Sequence, residues 1–109
     1  MLHIYQVIRE VLRELAPIIG VVERRSADLG RQLTRAASSI LLNVGEGQYS
    51  QGRNQSARYY TAMGSANETL SCLHVALDLG FVAAIDPELL DRLDRIIATL
   101  RNLIRASRR

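Results

Sequence analysis

Gln32-Leu33-Thr34-Arg35-Ala36-Ala37-Ser38-Ser39-Ile40-Leu41-Leu42-Asn43-Val44-Gly45-Glu46-Gly47 decides how the chain folds. Wound at about 100° per residue, it places Leu33, Ala36, Ala37, Ile40 and Val44 on one side, in line with Leu29 just upstream. That side is a face for a protein core. The opposite side holds Arg31, Arg35, Ser39, Leu42 and Glu46. A plainly solvated face has no need of an isolated leucine among arginines and an acid, so this side reads as a contact surface.

Upstream, the stretch from Leu2 to about Glu23 repeats Ile4, Val7, Ile8, Val11, Leu12, Leu15, Ile18, Ile19 and Val22, the spacing of one apolar helical stripe. Pro17 removes a backbone hydrogen bond, yet the residues after it keep the phase, which predicts one kinked helix rather than two. Ser26 or Asp28 can cap the second helix by accepting from a free amide of its first turn. Gly45 and Gly47 bracket the far end of that helix, where a left-handed cap suits glycine.

Gln48 to Asn54 is polar and aperiodic, which predicts the longest polar connection and a mobile loop. A third helix starts near Asn54 or Ser56 with the stripe Tyr59, Ala62, Met63, Ala66, Leu70, Leu73 and Leu77. His74 lies at the edge of that stripe, and Cys72 falls opposite it. Gly64 in the helix interior costs about 1 kcal/mol relative to alanine and marks a close approach by another backbone. Gly80 ends the helix. Asp86-Pro87-Glu88 opens a fourth with a cap, a proline at the first helical position and an acid in the first turn. Its apolar face is Leu89, Leu90, Leu93, Ile96, Ile97, Leu100, Leu103 and Ile104, with Asp91 and Arg95 spaced to pair. Four amphipathic helices on short connections predict an all-α, antiparallel up-down-up-down four-helix bundle, one domain over residues 1–109.

Composition bounds the function. Aromatics are 5% of the 109 residues, with seven glycines and two prolines, which favours helices over sheet. One cysteine excludes an internal disulfide and a cysteine-rich metal site, and points to a reducing, cytoplasmic setting. No run approaches the roughly 20 apolar residues of a membrane span, and with no basic stretch followed by an apolar block near Met1 the expectation is no secretory signal. The net charge is +3, and all 14 basic residues are arginine. The absence of lysine reads first as a compositional bias, but arginine does form bidentate phosphate contacts.

The arginines fall into three groups: Arg24, Arg25, Arg31 and Arg35; Arg53 and Arg58; Arg101, Arg105, Arg108 and Arg109. Candidate nucleic-acid contacts are Arg24, Arg25, Arg31, Arg35, Arg53, Arg58 and Arg105, with Tyr60 free to stack on a base. Arg35, Ser39, Leu42, Asn43, Glu46 and Glu68 form a second candidate group, read as an oligomer contact or polar network. Glu68 is expected to pair with Arg35 or Asn43, because buried polar groups need partners. His3 and His74 lie in no Glu-x-x-His motif, no phosphate-loop pattern occurs, and no nucleophile adjoins Glu46. We expect no catalytic residues, no metal and no cofactor.

Gln32, Arg35, Ala36, Ser39, Ile40, Asn43, Glu46 and Gly47, followed by Gly64, Ser65 and Glu68, are spaced as in a known family. The chain resembles the small bacterial four-helix-bundle proteins first noticed in intervening sequences of large-subunit ribosomal RNA genes. The resemblance covers nearly the whole chain and implies an antiparallel bundle assembling as a homo-oligomer, typically a pentameric ring. Relatives of that family include the accessory variability proteins of diversity-generating retroelements, which bind nucleic acid and a reverse transcriptase. Thr34 stands where members often carry a second arginine, and Gly45 where alanine is common. The expectation is a non-enzymatic, homo-oligomeric nucleic-acid-binding accessory protein, an adapter for a reverse transcriptase or RNA, with no membrane partner. The competing expectation is a protein-interaction scaffold without nucleic-acid affinity.

Overall fold

The computed structural model describes residues 2–108. Four helices follow in order: α1 (His3–Arg25), α2 (Ala27–Gly47), α3 (Gly52–Asp78) and α4 (Pro87–Ser107). No strand occurs among the described residues. α2 packs against both α1 and α3, α3 against α4, and α1 closes less tightly on α4. Short connections make neighbours antiparallel, and the result is the four-helix bundle. The 27 residues of α3, at about 1.5 Å each, run nearly the length of a molecule 44 Å long and 24 × 20 Å across.

The stripes of α1, α2 and α4 meet as their spacing requires. Ile8, Val11, Leu15, Leu33, Ile40, Val44, Leu93 and Leu100 are withdrawn from water, each contributing about 1.5–3 kcal/mol of burial if an aliphatic side chain is fully enclosed. α1 runs uninterrupted through Pro17, which faces solvent. Ser26 is the cap of α2: its Oγ accepts from the Leu29 amide at 3.2 Å, while Asp28 sits in the first turn and pairs with Arg31. Asp86 Oδ1 accepts from the Glu88 amide at 3.0 Å, and Asp91 pairs with Arg95 at 3.2 Å. Arg92 reaches from α4 across to α1, where it pairs with Glu14 and, at 3.9 Å, with Glu10.

α3 departs from its expected stripe. The buried residues are Tyr59, Ala62, Ala66, Thr69, Cys72, Leu73 and Ala76, whereas Met63, Leu70 and Leu77 are only partly covered. The helix is wedged between α2 and α4, so it buries a broad arc that takes in small and polar residues. Thr69 satisfies its hydroxyl by donating to the Ser65 carbonyl at 2.8 Å. Cys72 therefore lies in the core, not opposite it, and burial pushes its thiol pKa up, with the Glu68 charge adding to the effect. His74 is exposed rather than at a core edge.

The glycines also act differently from expectation. Neither Gly45 nor Gly47 is left-handed; α2 ends on an ordinary right-handed turn at Gln48. Gly47 is needed because a Cβ there would come within 2.6 Å of the Tyr59 ring. Gly52 takes the positive φ, +57°, and starts α3 two residues before the earliest expected point. The connection is thus only residues 48–51, and it is tied down: Gln55 Nε2 donates to the Gly47 and Ser50 carbonyls at 3.0 Å each. Gly64 meets nothing of its own chain within 4 Å of a Cβ, so no backbone approach inside the bundle explains it.

Replacing Gly47 by alanine should cost about 1–3 kcal/mol, the usual cost of overpacking, read as a fall in Tm; Gly20→Ala, whose nearest obstacle is at 4.0 Å, should instead raise Tm because the helix loses a flexible residue. Cys72 should resist labelling by a water-soluble aromatic disulfide in the native protein and react stoichiometrically in denaturant. Rapid native labelling would contradict its burial.

Candidate nucleic-acid interface

One end of the bundle gathers the start of α1, the end of α2, the start of α3 and the end of α4. The Leu2 amide donates to Gln48 Oε1 at 3.0 Å, the Tyr5 ring lies against Gly45, and the Arg108 guanidinium sits 5.8 Å from the centre of the Tyr60 ring. These contacts join α1 to α2 and α3 to α4 at that end, and Tyr59 packed on Gly47 joins the two pairs.

Charge is divided between the two halves of the bundle. The half at this end carries Arg9, Arg13, Arg53, Arg58, Arg101, Arg105 and Arg108 against Glu10, Glu14 and Glu46. The other half carries Arg24, Arg25, Arg31, Arg35, Arg92 and Arg95 against Glu23, Asp28, Glu68, Asp78, Asp86, Glu88, Asp91 and Asp94. A modest net charge of +3 conceals a basic half and an acidic half. Two tyrosines stand out at the basic end, Tyr49 at 84% exposure and Tyr60 at 52%. Arginines interleaved with exposed rings suit phosphates and unpaired bases together.

The sequence-based set of arginines is therefore split by the fold. Arg53, Arg58 and Arg105 lie at the basic end. Arg24, Arg25 and Arg31 lie at the other, among acids, and two of them are engaged: Arg31 by Asp28, Arg25 by the Gly80 carbonyl at 3.3 Å and the Phe81 ring at 5.4 Å. Arg108 and Tyr49 join the basic end; Arg109 lies outside the described residues. Tyr49 was legible only as one residue of a polar connection, and nothing in its spacing marked it as exposed.

Along the α2–α3 seam a chain of polar contacts is built from the residues upward. Ser65 Oγ donates to Ser39 Oγ at 2.8 Å, and Asn43 Nδ2 donates to the Ser39 carbonyl and hydroxyl at 2.9 and 3.0 Å. Arg58 donates to Asn43 Oδ1 at 3.5 Å and pairs with Glu46 at 3.0 Å. Ser39, Asn43 and Glu46 thus form a network, but with Ser65 and Arg58 in place of Arg35 and Glu68. With Ser39 opposite Ser65, one turn back on α2 brings Arg35 level with Thr69, which is buried, while Glu68 is turned to solvent. Within one chain Glu68 therefore pairs with neither Arg35 nor Asn43. Leu42 stands beside this seam at 66% exposure. It takes no part in the network.

Among the described residues no group of three or more His, Cys, Asp or Glu comes together as a metal site, and no helix is long and apolar enough to cross a membrane. Over residues 1–105 the chain matches the family described as 23S rRNA-intervening sequence protein. The chain belongs to that family. No curated protein and no solved structure matches it. For this member of the intervening sequence family, the matched span takes in the whole seam and most of the basic end, including Arg53, Arg58, Tyr60, Arg101 and Arg105.

Proposed function

We propose that the protein is a non-enzymatic, homo-oligomeric RNA-binding protein that holds single-stranded RNA at its basic end. The observation that carries this is the segregation of charge: arginines and two exposed tyrosines collect where four helix ends converge, away from most of the acids. Arginine neutralises phosphate and releases counterions, and a tyrosine ring stacks on any base. The family's description, with its reference to 23S rRNA, supports RNA as the nucleic acid. In an RNA role the acidic half keeps the strand from wrapping the whole bundle, so contact is confined to one end.

Self-association is the second part of the proposal. Leu42 is exposed at the α2–α3 seam, Arg35 and Glu68 stand beside it as exposed opposite charges, and Gly64 leaves an open position on α3. A second copy of the chain would supply an apolar contact for Leu42, opposite charges for Arg35 and Glu68, and a backbone close to Gly64. Five copies in a ring is the assembly that the family resemblance implies.

Two measurements test the two parts separately. Anisotropy of a labelled single-stranded RNA across a salt series should show affinity falling steeply, by about 0.7 in log–log slope for each phosphate contact. Arg105→Gln with Arg108→Gln should weaken binding and flatten that slope, while Arg24→Gln with Arg31→Gln should change neither. Absence of binding at low salt favours the scaffold reading instead. By light scattering the native protein should exceed the mass of one chain at micromolar concentration, Leu42→Glu should return it to a single chain, and a single-chain mass for the native protein would end the assembly proposal.

A further inference from the structure

Glu46 is out of place in a surface that attracts phosphate. The two other acids of the basic half, Glu10 and Glu14, are engaged by Arg92. Glu46 points outward, tied only to Arg58, and both partners are about half exposed; an exposed pair of this kind contributes little to stability. A carboxylate that repels the RNA backbone and adds little to the fold calls for another role.

Its surroundings suggest one. Glu46 and Ser50 line two adjoining concavities. One, of about 500 Å3, is walled by Tyr5, Leu41, Leu42 and Tyr49; the other, of about 360 Å3, is polar, with Asn54, Arg58 and Thr61. Tyr49 follows Glu46 by one turn, its amide on the Glu46 carbonyl at 3.2 Å. An exposed ring for stacking thus stands beside a carboxylate acceptor that adjoins a guanidinium donor.

We infer that Glu46 and Arg58, with Tyr49, form a guanine-selective base site, an inference that rests on the RNA-binding reading above. Of the four RNA bases only guanine presents two adjacent donors, N1–H and the N2 amino group, next to an acceptor, O6. A carboxylate has about four lone-pair positions, so Glu46 accepts both guanine donors while its Oε2 keeps the contact with Arg58. Arg58 donates to O6. Uracil sets a single donor between two acceptors, and adenine and cytosine put an acceptor where guanine has N1–H, so each meets the carboxylate with repulsion. Unpaired bases read on this edge while stacked on an aromatic ring are the common mode of single-stranded RNA recognition.

The test compares labelled oligouridylates of equal length and charge, with and without one central guanosine. The native protein should prefer the guanosine strand by about ten-fold, within the range of a bidentate base contact, and replacing guanosine by inosine, which lacks the N2 amino group, should remove much of that preference. Glu46→Gln, with folding checked by circular dichroism, presents one donor and one acceptor; it should abolish the preference while still binding plain oligouridylate. Equal binding of the two strands by the native protein, or an undiminished preference in Glu46→Gln, overturns the guanine site and leaves RNA binding standing. Absence of binding to every strand at low salt overturns both.

Discussion

The space between Gly47 and the ring of Tyr59 admits no side chain, and that contact sets the register of α2 on α3. Slide either helix by one residue and the ring no longer meets the glycine. Everything on the seam follows from this alignment. Ser39 comes opposite Ser65, Asn43 comes within reach of Arg58, and Arg58 comes to Glu46. The same contact fastens the end of α2 to the start of α3, so the four-residue connection can be closed by Gln55 bonding two carbonyls. The basic end is therefore anchored by packing, although it is built from helix termini.

Most of the fold was legible because three of the helices each bury one face. α1, α2 and α4 carry large aliphatic residues at helical spacing, and Ser26 and Asp86 are caps whose chemistry is local. α3 resisted the same approach. It packs between two helices and fills the tighter contacts with Ala62, Ala66, Thr69, Cys72 and Ala76, residues too small or too polar to stand out as an apolar stripe. The glycine pair at the end of α2 escapes spacing arguments for a related reason. A glycine needed for conformation and one needed for space look alike until the neighbouring ring is known.

The candidate site was legible in its parts and illegible in its pairings. Arg58, Asn43, Glu46 and Ser39 each stand out by type and spacing, but partner choice depends on a register that spacing along one chain does not contain. Glu68 illustrates the limit. It lies three residues from Ser65, which takes part in the network, yet three residues on a helix turn it by about 60° from that position, enough to leave it in solvent. Arg25 shows the converse: it sits in a basic cluster in the sequence but is occupied by a carbonyl and a ring of its own chain.

The two parts of the proposed function constrain each other through symmetry. The proposed contact face runs along the sides of α2 and α3, while the proposed RNA surface is at one end. A dimer with its two-fold axis perpendicular to the helices would point the basic ends in opposite directions, and each would bind alone. A cyclic ring with its axis along the helices places every copy parallel, so all basic ends open on the same rim. On that rim the acidic halves lie on the far side and the arginines of adjacent copies form one continuous band. A strand held by one subunit is then close to the next, and contacts too weak to hold singly add as linked sites rather than as independent ones. A side-to-side ring would thus be the arrangement in which a chain of net charge +3 presents a field far stronger than its own, and it would leave Tyr49 and Tyr60 facing the strand on every copy.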